Sequence, residues 1–327
     1  MRKMHLDKKQ ILKYTAIVLS VVFLVSTSLL LLGMWEKHRG RYEGGGSLEN
    51  LLEYNGVKYT LRDNIETFLV IGLDRYDSEV VGDNERRADF LMLLVFDNDG
   101  KRYTAVHINR DTMTSVNRLD ISGNKLESVT EQIALAHTRG HSDKVNCRNT
   151  SDAVSELLLG VRVDHYLSLT MDAVPVLNDL AGGVEVTVLE DFTGIDDTLV
   201  KGEKVTLMGE HALNYVRTRY GLEDSANSTR MERQKQYLYA LQEKTMQKIA
   251  ADDEFIVEAT LKMSDYIVSD RSVTQLQELA RKISAYEFSG IVAMDGENIV
   301  GEKYMEFYPD VNSVKKIVVD LFYRPKD

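Results

Sequence analysis

A chain of 327 residues that is 43 % hydrophobic, with three prolines and no low-complexity tract, can bury a core and is excluded from the disordered class. Its single cysteine, Cys147, excludes an internal disulfide. A net charge of −11 excludes the broad basic surface with which nucleic-acid binders neutralise phosphates, so no nucleic-acid partner is expected.

Residues 14 to 35 carry no charge and are long enough, at about 1.5 Å per residue, to cross a hydrocarbon layer of roughly 30 Å. Ahead of them Arg2, Lys3, Lys8, Lys9 and Lys13 stand against Asp7, a local charge of +4 that the positive-inside rule keeps in the cytoplasm. Ser26-Thr27-Ser28 falls inside the apolar run, whereas a cleaved signal peptide would place its small residues after it. The expectation is a single-pass membrane protein: a cytoplasmic tail over 1–13, a transmembrane helix over 14–35, a linker over 36–55 around Gly44-Gly45-Gly46, and an extracellular domain over 56–327. Taking the tail's +4 from −11 leaves −15 for everything beyond it.

Asn55-Gly56 predicts a turn into a short strand at 57–61. Three continuously apolar runs, 65–73, 90–96 and 102–108, predict central strands buried on both faces. Their ends carry Asp74, Arg87, Asp89, Arg110 and Asp111, and α/β folds place ligands at strand ends. Helices are predicted at 128–138, opened by a Ser128-x-x-Glu131 capping box, at 150–159 and at 172–180. Strands at 163–169 and 184–189 and a hairpin over 198–207 lead to a helix at 210–216. Helices at 229–250, 254–267 and 272–285 follow, then a strand pair at 288–294 and 302–307 and a last helix over 310–322. The pattern describes one three-layer αβα domain around a mixed central sheet.

Between Tyr215 and Gln234 this acidic chain concentrates Arg217, Arg219, Arg230, Arg233 and Gln234. Thr229 and Glu232 form a second capping-box signal, and a helix starting there sets Arg230 and Gln234 on one face. A cation in a first helical turn opposes the macrodipole and calls for an anionic partner. Arg217 and Arg219, two apart, share a side if that segment is extended. The cluster is then either an anion site or a solvated basic rim. Asp74 and Asp89 are in the same position: turn formers, or the one or two carboxylates that magnesium takes while its other positions go to water and phosphate. Carboxylates, a metal and arginines in one cleft are the apparatus of phosphoryl transfer, and the planar guanidinium fork suits a pyrophosphate better than lysine does.

Leu-Val-Ile-Gly-Leu-Asp74, Arg87-Ala-Asp89, Ile-Asn-Arg110-Asp111-Thr112, Leu180-Ala-Gly-Gly-Val-Glu-Val, Gly209-Glu-His-Ala-Leu-Asn-Tyr-Val-Arg217-Thr-Arg219 and Arg230-Met-Glu-Arg233-Gln234 resemble, in that order, the motif series of the LytR-CpsA-Psr family. The resemblance spans roughly residues 60 to 250. It implies a magnesium-dependent phosphotransferase that moves a glycopolymer, such as teichoic acid or capsule, from an undecaprenyl pyrophosphate carrier onto peptidoglycan at the outer face of a Gram-positive membrane. By that resemblance Asp74 and Asp89 are the metal-binding acids. Arg110, Arg217, Arg219, Arg230 and Gln234 hold the pyrophosphate with Arg87 beside them, and Asp89, Arg110, Arg217 and Arg219 carry the catalysis. Asp111 is either a proton acceptor or a brace for Arg110. Two departures stand out: Asn109 where the family commonly has Pro, and Asn227 where an Asp often precedes the third arginine. The other readings are a non-catalytic envelope regulator or polymer-binding protein, and a polyprenyl pyrophosphatase using water at the same site.

Overall fold

The structure, a computed structural model, describes residues 51–73, 86–218, 227–252, 254–302 and 304–326. Asp74, Arg219, the loop after Asp74 and the predicted transmembrane stretch lie outside the described residues. Among the described residues no helix is long and apolar enough to cross a membrane.

The chain opens with β1 (Leu51–Tyr54) and β2 (Val57–Leu61), joined through Asn55-Gly56, both at positive φ as a tight hairpin turn requires. The apolar runs become β3 (Ile65–Leu73), β4 (Ala88–Asp97) and β5 (Arg102–Ile108). Next come β6 (Met113–Leu119), β7 (Lys125–Gln132), a 3-10 segment Ile133–Thr138, α1 (Asp143–Leu157), β8 (His165–Thr170) and α2 (Ala173–Leu180). Strands β9 (Val184–Thr187) and β10 (Lys204–Leu207) pair with each other ahead of α3 (Glu210–Arg217). The remainder is α4 (Asn227–Ala251), α5 (Phe255–Met263), β11 (Ile267–Ser269), α6 (Val273–Ala285), β12 (Glu287–Ala293), β13 (Gly296–Val300), β14 (Met305–Pro309), α7 (Val311–Phe322) and β15 (Tyr323–Pro325).

Six strands form the central sheet in the order β11-β8-β3-β4-β5-β12. The β3–β4 and β4–β5 pairs are antiparallel, and β8 and β12 join in parallel, so the sheet is mixed. Leu69, Ile71, Leu91, Leu93 and Val106 pack on one face with α1 and α7. Phe68, Phe96 and Tyr103 pack on the other with Leu276, Leu279 and Ile283 of α6. Helices on both faces are why the three apolar runs lack alternation: each residue meets a core.

Five expectations fail for physical reasons, the first being the hairpin over 198–207, which does not form because Lys204–Leu207 pairs with β9. Residues 125–132 form β7 instead of a helix: Ser128 donates its hydroxyl across the ladder to Asn117 Oδ1 at 2.9 Å, and Glu131 binds Arg139. Both capping-box side chains are therefore used in other contacts. The helix predicted from 150 begins at Asp143, because its early buried face is polar. There Asn146 Oδ1 accepts from Gly140 N at 2.6 Å and Asn149 Nδ2 donates to Ala136 O at 2.9 Å, contacts that a hydrophobic pattern does not register. The strands near 288–294 and 302–307 exist but are not partners, since β12 joins β5 and β14 pairs with β13. The helix predicted to reach Ile267 ends at Met263, and Ile267 opens β11.

Candidate active site

Strand β4 delivers Arg87 and Asp89 at its start, β5 ends just before Arg110 and Asp111, and the first turns of α4 bring Arg230 and Gln234 to the same place. Arg110 is 8 % exposed and gripped twice: its Nη1 bonds Asp89 Oδ1, and its Nε donates to Asp111 Oδ1 at 3.2 Å. Arg230 Nη2 donates to the backbone oxygen of Asp89 at 3.4 Å and to Asn227 Oδ1. These contacts join Asp89, Arg110 and Arg230 into one buried cluster. Gln234 donates from Nε2 to Val216 O at 3.1 Å, which ties α4 to the last turn of α3. Arg217 closes α3, half-buried, where a cation suits the helix C-terminus; the expectation of an extended Arg217 segment is corrected accordingly. Helix α4 starts at Asn227, ahead of Thr229, so the predicted cap is corrected too.

Asp111 is 1 % exposed, and Gln132 Nε2 donates to its Oδ1 at 3.0 Å. Held from two sides, it serves as the brace for Arg110. The two departures from the family pattern touch each other. Asn227 Nδ2 donates to Asn109 Oδ1 at 2.6 Å, and that oxygen also accepts from Asp111 N at 3.0 Å. Asn227 thus orients Arg230 with its carbonyl while its amide is satisfied by Asn109, a paired arrangement that a carboxylate at 227 could not make.

Arg233 does not belong to the cluster. It lies on another face of α4, 1 % exposed, donating to Tyr215 O and Thr218 O, with Nε 2.6 Å from Glu190 Oε2 at an angle unsuited to a hydrogen bond. Its guanidinium also sits over the Phe192 ring, 5.3 Å from the centroid. It fixes the backbone on either side of Arg217.

Beside the cluster opens a cavity of about 200 Å³ between the sheet, α2 and α4. Its walls include Val70, Phe90, Leu169, Leu177, Leu238 and Leu241, and Gln234 is a polar member of the lining. One face of α4 therefore carries Arg230 and Gln234, then Tyr237, Leu238 and Leu241 at helical spacing: charge first, apolar surface after. Gly72 lies in the same wall because a methyl added there would stand 2.8 Å from Phe90 Cβ. Sequence periodicity offered no signal for the cavity, since its apolar lining reads like core.

His107, not singled out from sequence, is 3 % exposed on β5 with its ring 5.1 Å from that of Phe90. Burial, reinforced by the Arg230 charge and opposed by a Gln234 hydrogen bond, lowers its pKa to about 4. Burial likewise lowers His137, whose Nδ1 lies 2.8 Å from Arg86 O, to about 4. Unfolded, both return to about 6.5, so between those values the unfolded chain binds protons that the folded chain refuses. Their contribution to stability is complete above about pH 6.5 and is lost as pH falls towards 4. Denaturant titrations across this range should show that decline, and a His107→Gln/His137→Gln double variant should flatten it; an unchanged slope would contradict the assignment.

Among the described residues no group of three or more His, Cys, Asp or Glu converges on a metal site. Magnesium asks for less, one or two carboxylates, and Asp89 at the edge of the cluster fits as one such ligand; its proposed companion Asp74 lies outside the described residues.

An αβα fold thus sets a cluster of buried arginines and acids beside an apolar cavity. The chain belongs to the LytR_cpsA_psr family, whose sequence model matches residues 45–317. It is 27 % identical over 260 residues to the "Cell wall biosynthesis protein LcpA" of Corynebacterium glutamicum, covering 71 % of this chain and 48 % of that protein. It is 28 % identical over 227 residues to the "Polyisoprenyl-teichoic acid--peptidoglycan teichoic acid transferase TagU" of Bacillus licheniformis, covering 67 % of this chain and 65 % of that one. The chain thus spans less than two thirds of either relative. The solved structure "TagT bound to LI-WTA" shares its fold with a TM-score of 0.59 at 21 % identity, covering 79 % of this chain and 89 % of that one.

Proposed function

We propose that this protein is a phosphotransferase that moves a glycopolymer from an undecaprenyl pyrophosphate carrier onto a hydroxyl of peptidoglycan. The observation that carries this reading is the junction, at Gln234, of an apolar cavity with the Asp89–Arg110–Arg230 cluster. A polyprenyl pyrophosphate has that polarity, a long apolar tail ending in a polyanion. The names of the relatives, a teichoic acid transferase among them, favour the same chemistry. Residues 14–35 would anchor the chain with its catalytic domain outside the cell.

In the proposed step the acceptor oxygen bonds to the phosphorus nearest the glycan while the bond from that phosphorus to the bridging oxygen breaks. Undecaprenyl phosphate departs with the bridging oxygen, and the acceptor's proton balances its charge. Arg87, Arg110 and Arg230 would meet the pyrophosphate as preorganised donors whose field is strong because they are buried, with half-buried Arg217 beside them and Arg219 added by the family resemblance. Asp111 and Asn227 hold Arg110 and Arg230 in register. When bound, magnesium held by Asp74 and Asp89 would neutralise charge on the pyrophosphate oxygens.

The test is conjugate formation by the full-length protein given magnesium, a lipid-pyrophosphate glycan and peptidoglycan oligomers. A covalent conjugate is expected. Release of free glycan phosphate without conjugate would instead make the protein a hydrolase, and binding without turnover a regulator or polymer-binding protein. Narrowing the cavity with Leu177→Trp should raise KM for the long-chain donor roughly tenfold or more while sparing a short-chain pyrophosphate donor, because the tail's apolar area supplies its binding. Equal effects on both donors would mean that the cavity does not hold the tail.

A further inference from the structure

The β13–β14 hairpin is wired to the cluster without lining the cavity. Phe307 N donates to Asp111 O at 2.9 Å, and Gln132 Nε2 donates both to Met305 O at 2.7 Å and to Asp111 Oδ1 at 3.0 Å. Side chains alternate across a strand, so Phe307, 7 % exposed, packs inward while Glu306 and Tyr308 belong to the solvent side. Just ahead of the strand, Tyr304 places its ring over Arg87, with the guanidinium carbon 4.9 Å from the centroid. Arg87 stands over that ring, yet 48 % of Tyr304 stays exposed. Tyr308 is 42 % exposed and donates its hydroxyl to Glu306 Oε2 at 2.7 Å; Ile299, opposite Glu306, is 46 % exposed.

Tyr304 just ahead of the strand, and Glu306 and Tyr308 on it spaced by roughly 6.6 Å per two residues, suit a chain of pyranose rings. The C–H faces of sugars pack on aromatic rings, and their hydroxyls donate to a carboxylate. Direction decides which sugar chain. Attacking and leaving oxygens stand roughly in line at phosphorus, and the cavity, reserved for the leaving lipid phosphate, lies between the sheet, α2 and α4. The hairpin lines none of that cavity and meets Arg87 and Asp111 instead, which leaves its side of the cluster for the acceptor.

We propose that the exposed face of the β13–β14 hairpin is the platform for the acceptor glycan, a peptidoglycan strand, with Tyr304 its subsite nearest the reacting phosphorus and Tyr308 with Glu306 the next. This rests on the phosphotransfer reading above. Arg87 then has a second role, steadying the platform while it faces the pyrophosphate.

The test uses the full-length protein and a peptidoglycan-derived tetrasaccharide, with direct binding measured in the absence of donor and KM measured for acceptor and donor separately. Tyr304→Ala and Tyr308→Ala should each weaken tetrasaccharide binding and raise the acceptor KM roughly five- to tenfold, with the donor KM held within about twofold in Tyr308→Ala, which leaves the Arg87 contact intact. Tyr304→Phe keeps the ring and should restore the acceptor KM. No tetrasaccharide binding by the wild type, binding unaltered in both alanine variants, or a donor KM that rises in step with the acceptor KM in Tyr308→Ala would each overturn the platform, the last by giving this face to the donor's glycan. Binding that is lost in both variants by a wild type that never forms conjugate would uphold the platform and sink the phosphotransfer reading.

Discussion

Replacing Arg110 with lysine is expected to lower glycopolymer transfer by roughly 10²- to 10³-fold, the cost of removing one preorganised donor from a developing anion. Two separate nitrogens of Arg110 engage Asp89 and Asp111, an arrangement that the single ammonium of lysine cannot reproduce. Lysine keeps the positive charge between those acids, so the loss measures geometry instead of folding. Arg110→Ala should fall at least as far in activity, and it should also lose stability because two largely buried carboxylates would be left facing one another. Conjugate yield under saturating donor, with a melting curve on each variant, makes the comparison. Wild-type turnover in the lysine variant would remove Arg110 from the reacting cluster.

Arg233→Ala is expected to destabilise the fold by about 3–5 kcal/mol, since it leaves Glu190 buried without its cation. Two backbone carbonyls, of Tyr215 and Thr218, lose their donor at the same time. Replacing both partners with apolar residues, Arg233→Met with Glu190→Leu, should cost less than either single change, because no uncompensated charge remains. Denaturant unfolding of the four proteins forms the cycle. A fully additive result would show that the two side chains act independently. Transfer activity should fall in the single variant through Arg217, whose backbone Arg233 holds in place.

The resemblance gave the pyrophosphate to Arg230 and not to Arg233, but the motif offers no physical reason for the split. Both belong to one short arginine-rich stretch, and only their helical phase, fixed by how α4 lies on the sheet, sends Arg230 to the cluster and Arg233 to Glu190. The Asn109 and Asn227 pair was equally hidden: each read as an isolated departure, yet they are hydrogen-bonded across 118 positions. His107 and the cavity were missed because a buried ring and an apolar lining look like core until a helix is laid over them.

What the sequence determined by itself was local or compositional. Unbroken apolar runs specified β3, β4 and β5 as central strands, because a strand covered on both faces is mostly apolar. The ordered motifs named Asp89, Arg110, Arg230 and Gln234, which the structure brings to one place. Tertiary structure alone decided the rest. Whether Ser128 caps a helix or reaches across a ladder to Asn117, whether β12 pairs with β5 or β14, and which face of α4 meets the sheet all depend on contacts between distant segments. Periodicity records how often a residue is buried, whereas these choices depend on which surface buries it.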